Sequence, residues 1–328
     1  MPEMTKRERI QAALAGKRVD RPPVAFWRHF PGEDQSEDGL VQAALDFQTR
    51  YDLDFIKLPV SSTFTVSDYG VKHEYRGALG GDRTYVEGVV KKVSDWERIV
   101  PLDVRQGTYG WHLQALRRII RQKPPATPVV VTMFHPLALA FYLAGQENCL
   151  VHLRTHPDQV EPALKALTTT CADFARAVIQ EGADGIFFSA RFASYEIMSE
   201  EEYTRFARPG DAAVLSAAAQ GWFNILHVHG PYPMVDLLAD LPAQALNWHD
   251  RTAFPKLADA AHIFKGALMG GVDQHILQLG TPQEVAGQVA NAIKQMSGRR
   301  LIVSPGCTYS LDVSDANLQA MRKAVTAK

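Results

Sequence analysis

Long hydrophobic runs are missing from these 328 residues: no stretch reaches the roughly 18 apolar residues of a membrane-spanning helix, although 46% are hydrophobic. The opening MPEMTKRERIQAALAGKRVDRPP is charged throughout and lacks the apolar centre of a signal peptide, so the expected compartment is the cytoplasm, with no membrane contact. A charge of one sign is also missing. With 35 Lys and Arg against 36 Asp and Glu, the net charge of −1 offers no field to hold a polyphosphate, and nucleic acid is not an expected partner. Cysteine is scarce. Cys149, Cys171 and Cys307 are too few and too scattered for a disulfide framework, which favours a reducing compartment. No GxGxxG follows the first strand-like run, and GxxxxGK[ST] and GxSxG do not occur, so no motif supports dinucleotide, ATP or serine-nucleophile chemistry.

What the chain does contain is alternation. Eight short β-rich runs, each closed by a polar, glycine or proline signal, fall at 22–27, 54–59, 128–134, 185–190, 224–230, 245–249, 267–272 and 301–306. Amphipathic stretches lie between them, at 40–51, 108–121, 157–180, 199–220, 233–241, 252–262 and 282–296, and a last one at 314–327 closes the chain. Eight strands alternating with eight helices and no break in composition predict a single (β/α)8 TIM barrel domain over residues 1–328, with an open doubly wound sheet as the alternative. Two features stand outside the repeat. Residues 4–14 predict an N-terminal helix with a Thr5/Glu8 capping box, and 69–100, alternating around GALGGD, predict an inserted β-hairpin placed to cover the barrel mouth or merely to decorate it.

In such a barrel, chemistry gathers at the C-terminal strand ends. Those ends carry Arg28, His29, Ser61, Ser62, His135, Ser189, Arg191, His227, His229, Trp248, His249, Asp273 and Cys307. So many imidazoles on one rim point to metal binding or proton transfer. His227 and His229, two apart on one strand, face the same side, and Cys307 ends the eighth run on the same rim. Two His and one Cys suit zinc with its fourth position open; the competing reading is an imidazole bonded to a backbone carbonyl beside an inert thiol. Arg28 and Arg191 offer planar forks for a substrate carboxylate, or else rim salt bridges. Asp273 reads as a substrate contact or a helix cap, and Tyr142 as a substrate hydroxyl or a core residue. Arg28, Tyr142 and His249 stand as the catalytic candidates; Arg28, His29, His135, Arg191, Trp248 and Asp273 stand as the substrate contacts.

Taken together, TKRERIQAALAGKRVDRPPV, ALNWHDR, GALMGGVDQHILQLGTPQEV and VSPGCTY resemble the uroporphyrinogen decarboxylase superfamily, which also contains zinc-dependent, corrinoid-linked methyltransferases. The resemblance implies a (β/α)8 barrel with its site at the C-terminal mouth. Its two branches need different residues. The decarboxylases carry RQAGR after the first strand, where this chain has RHFPG, keeping Arg28 but placing Gly32 at the second arginine. Their pyrrole-binding aspartate corresponds to Ser61, their tyrosine to Tyr142 and their C-terminal histidine to Cys307. The methyltransferases bind zinc through H-x-C-G and a C-terminal cysteine in P-G-C. Here His227 and Cys307 match, and His229 replaces the middle cysteine. The resemblance therefore implies a zinc-dependent methyltransferase or demethylase that works on a small substrate able to carry a carboxylate, with a corrinoid on a separate protein. Homodimerisation is expected from the family. The alternatives are cofactor-free decarboxylation of a tetrapyrrole and a non-catalytic tetrapyrrole- or corrinoid-binding barrel.

Overall fold

The computed structural model describes residues 2–326. Thr5 and Glu8 close the expected capping box, and the first helix, α1, runs Lys6–Leu14. The strands are β1 (Ile56–Leu58), β2 (Lys72–Glu74), β3 (Thr84–Glu87), β4 (Val129–Phe134), β5 (Gly185–Ala190), β6 (Ile225–Val228), β7 (Ala245–Asn247), β8 (Ala267–Val272) and β9 (Leu301–Pro305). Their runs are apolar and β-branched because both faces are covered, as in other parallel sheets; every residue of β4, β5, β8 and β9 is buried. One face packs under the helices. The other converges on an interior column containing Trp27, Phe55, Val130, Phe187, Ile225, Ala245, Met269 and Ile302. β2 and β3 pair antiparallel as a separate hairpin inside the segment where one is expected.

The expected closed eight-stranded barrel is not formed. Seven parallel strands make an open half-barrel sheet in the order β1-β4-β5-β6-β7-β8-β9. Residues 22–27, the expected first strand, make only an isolated bridge between Val24 and Val303. The reason lies in the residues. Pro22 and Pro23 have no N–H to give a ladder, and the N–H of Val24 is taken by the Asp54 carboxylate at 2.7 Å. What remains is two bonds to β9, Ala25 N–H to Val303 O and Val303 N–H to Pro23 O, and one from Asp54 N–H to Val24 O.

The helices depart from expectation where proline or uniform apolarity hides the period. The 199–220 stretch splits into Glu200–Phe206 and Arg208–Ala217, because Pro209 cannot continue the first helix. Two helices without a predicted counterpart, Pro136–Ala144 and Gln146–Thr155, follow β4; the first is buried on all sides and so shows no amphipathic stripe. The last helix is Asp315–Ala324, and the expected end at 327 lies outside the described residues. No helix among the described residues is long and apolar enough to cross a membrane.

Asp54 fastens the underside of the sheet. Fully buried, it accepts Arg9 Nη1 at 2.7 Å and Arg21 Nη1 at 2.7 Å besides the Val24 N–H, so one carboxylate ties α1, the proline segment and β1 together. Asp54→Ala leaves the Arg21 guanidinium without a carboxylate, Arg9 with Asp20 as its one remaining acid, and the Val24 N–H unpaired beneath the sheet. It is expected to cost about 3–5 kcal/mol in urea unfolding; a loss below about 1 kcal/mol would show that the segment is held by packing alone.

Candidate metal centre and substrate cavity

Because side chains alternate along a strand, each strand end sends one set of residues inward and the other outward. Register puts Ser189 beside His227, His227 beside Asn247, and Asn247 beside Met269, so polar groups from neighbouring strands meet at one level. Above them lies a cavity of about 300 Å³ whose lining includes Trp27, His29, Lys57, Arg191, His227, His229, His249 and Cys307.

One ligand-capable atom from each of His227, His229 and Cys307 lies within 4.8 Å of the others. Cys307 Sγ is 3.9 Å from His227 Nε2 and 3.6 Å from His229 Nδ1. With Zn–S near 2.3 Å and Zn–N near 2.0–2.1 Å, the S···N edge of a tetrahedron is about 3.6 Å, so the donor set fits zinc in both chemistry and spacing.

The neighbours set which ring atom of His227 is free. Asn247 Nδ2 donates to the Met269 carbonyl at 2.8 Å and to the Pro305 carbonyl at 3.2 Å, which turns its Oδ1 towards His227 Nδ1, 2.6 Å away. An amide oxygen only accepts, so Nδ1 carries the hydrogen and Nε2 keeps its lone pair towards Cys307. Burial pulls the His227 pKa down and keeps the ring neutral. Burial alone would push Cys307 up, as it does Cys149 and Cys171. Coulombic attraction and hydrogen bonding from the neighbouring imidazoles, His229 first, outweigh it, holding the Cys307 thiol well below its ordinary range. His249 Nε2 lies 3.2 Å from His229 Nδ1, and its own Nδ1 is 3.0 Å from Gln274 Nε2. Burial draws the His249 pKa down, but hydrogen bonding to Cys307 and that group's charge reverse the sign and raise it.

The remaining candidates divide by strand face. His29 lines the cavity, with Nε2 3.6 Å from Asp82 of the hairpin connection. Arg191 also lines it and donates to Tyr142 Oη at 3.2 Å. Tyr142 itself is buried, stacked on Tyr85 at 4.7 Å, and connects to the cavity through Arg191. Arg28 points the other way, over the Phe30 ring, into a groove lined by Arg50, Tyr51 and Tyr309. Trp248 is likewise outward and buried, donating to the Pro255 carbonyl. His135 is fully buried against Asp211 at 3.2 Å, and Asp273 caps the Gln274–Leu279 helix by accepting from His275 N–H. None of these last four lines the cavity. Sequence reasoning missed Lys57, Asn247 and Gln274. Lys57 is two residues from the inward Phe55, and Asn247 is two from the inward His249, so the same alternation locates both.

The family model for uroporphyrinogen decarboxylase (URO-D) matches residues 5–327. Methylcobamide:CoM methyltransferase MtbA of Methanosarcina acetivorans is 24% identical, covering 98% of this chain and 97% of its own length. MtaA of Methanosarcina barkeri is 23% identical with the same coverage. Among solved structures, a methyltransferase from Methanosarcina mazei shares the fold with a TM-score of 0.86 at 21% identity, covering 98% of both chains.

The depressed Cys307 thiol generates a chemical expectation. In metal-free protein, iodoacetamide is expected to label Cys307 first and to keep doing so at about pH 6, where an ordinary thiol near 8.5 is almost unreactive. Cys149 and Cys171, both buried, are expected to stay unlabelled until the protein unfolds. Peptide mapping by mass spectrometry checks this, and added zinc is expected to protect Cys307.

Proposed function

The chain belongs to the uroporphyrinogen decarboxylase family, and from that premise we propose that it is a zinc-dependent methyltransferase or demethylase acting with a corrinoid carried on a separate protein. The observation that carries this reading is the convergence of His227, His229 and Cys307 at tetrahedral spacing. Zinc held there supplies Lewis acidity that lowers the pKa of a substrate thiol or stabilises a leaving oxygen.

The chain's own groups do the rest. Asn247 presents His227 Nε2, Trp27 and Phe187 exclude water from one wall, and His29 and Arg191 provide polar contacts to substrate. His249, beside His229 and held from its other side by Gln274, is placed to hold the proton that a substrate thiol releases. The named relatives work with methylcobamide. For this chain a docking face for such a carrier is supported by exposed Leu79, Tyr195, Tyr232 and Phe254, all on connections between strands; the last three follow β5, β6 and β7 directly.

Decarboxylation of a tetrapyrrole gains no support. A cavity of about 300 Å³ is at the small end for small-molecule sites and does not enclose a macrocycle. Ser61, at the aspartate position of the decarboxylases, is buried and bonded to Thr63 Oγ1 at 2.9 Å.

Elemental analysis of protein purified without a His tag or chelator is expected to give about one zinc per chain. His227→Ala and Cys307→Ala are expected to lose it, and Asn247→Leu to weaken affinity about 10–100-fold. Folded wild-type protein free of zinc, or zinc retained in both ligand variants, would overturn the reading. With zinc present, methyl exchange between methylcobalamin and a small thiol is the activity to assay.

A further inference from the structure

Lys57 has no counterpart in the reading so far. It sits at the centre of β1 and turns into the same cavity as the His227, His229 and Cys307 cluster. Its Nζ lies 4.3 Å from the Phe187 ring centroid and 5.1 Å from that of Trp27. No hydrogen bond or ion pair to another described residue reaches it. Cation–π contact with two rings returns only a fraction of what an ammonium loses on leaving water. The other charged groups in the cavity wall do not balance it. Arg191 has the same sign; Asp82, the one carboxylate there, sits at the rim with its side chain 60% exposed and turned towards His29; and the Cys307 sulfur, whose charge favours the ammonium, belongs to the candidate metal cluster. Burial accordingly lowers the Lys57 pKa to about 7, so the inner end of the cavity holds an amine that the protein's own carboxylates do not keep charged and that an arriving acid would.

We infer that Lys57 is the anchor for an acidic group of the substrate, and that the substrate is a compact acid, such as a short-chain carboxylate, whose reactive end reaches the metal cluster. This rests on the proposed function for the identity of that reactive end. The layout supports the orientation. Phe187 touches both functions, with Lys57 Nζ 4.3 Å from its ring centroid and the His227 ring stacked on it at 5.2 Å, which puts an acid on Lys57 next to the cluster. Arg191 is engaged with Tyr142, whereas Lys57 has all three donors free for a carboxylate. Arg28, the arginine that the sequence offers for this task, faces away from the cavity.

Three probes separate the acid from the thiol: 3-mercaptopropionate, 2-mercaptoethanol and propionate, titrated by ligand-observed NMR into wild type and Lys57→Met. Wild type is expected to bind 3-mercaptopropionate more tightly than 2-mercaptoethanol. Lys57→Met is expected to weaken both acids by about tenfold to a hundredfold, the range of a lost charge-assisted hydrogen bond, and to leave 2-mercaptoethanol unchanged. If wild type binds propionate but not 2-mercaptoethanol, and the variant loses propionate, the acid anchor stands and the thiol-on-metal reading falls. Acids that fail to bind wild type, acid affinities unchanged by the substitution, or an equal loss for the neutral thiol would each overturn the inference. The wild-type preference for the acid-bearing thiol is a test in its own right should the variant not fold.

Discussion

The mouth of this protein depends on a constraint no single residue supplies: parallel strands in register send alternate side chains to one interior. Once Phe187, Ile225, Ala245 and Met269 are fixed inward as apolar fill, the positions two further along are committed to the same side. On β5 that commits Ser189 and then Arg191, on β6 His227 and His229, on β7 Asn247 and His249. The metal candidates and their supporting polar groups are therefore an upper storey built on the column beneath. A one-residue slip in any strand would exchange them for Arg28-like or Trp248-like neighbours that belong to the helix layer.

Alternation brings the groups together; protonation makes them a site. Cys149 and Cys171 are buried, and burial, joined at Cys171 by the charge of Asp211, leaves each a thiol. Cys307 differs because three imidazoles face it, and they supply more than desolvation removes. The imidazoles are themselves sorted. Asn247, locked by two backbone carbonyls, leaves His227 with a free Nε2, while His249 is drawn towards its charged form by the same sulfur. The result is a neutral donor, a thiolate and a proton-holding ring within one hydrogen-bonded group.

Much of this was legible in the sequence, and the misses have physical causes. Seven strands, the N-terminal helix and the hairpin follow from apolar runs, a capping box and a glycine turn. The eighth strand fails at Pro22 and Pro23, residues whose missing N–H groups were visible, and at Asp54, whose capture of the Val24 N–H was not. Uniform apolarity at 136–144 conceals a buried helix, since a helix without a polar face has no period to read. At the site, H-x-H and the P-G-C context point to the cluster. Reading strand ends as one undifferentiated rim brought in Arg28, His135 and Trp248, which the alternation sends outward.

Charge is what the individual residues do not reveal until they are placed together. In a His, Cys, Cys set two thiolates would neutralise a divalent ion; with His229 in the middle position only the Cys307 thiolate would do so, and a divalent ion held there would keep one positive charge. Lys57 and Arg191 share its cavity, while the single carboxylate, Asp82, lies at the rim. Among the described residues of the cavity wall no other acidic side chain offsets this excess, inside a space walled by Trp27, Phe134 and Phe187 where low polarity makes each unpaired charge count for more than it would in water. The His-for-Cys exchange and the buried lysine thus act in the same direction: both shift the cavity's complement from a neutral molecule towards an anion. A chain with the same fold but a cysteine at 229 and an apolar residue at 57 would present an electrically quieter cavity, and selectivity between substrates of one shape would follow from those two positions before any contact geometry is considered.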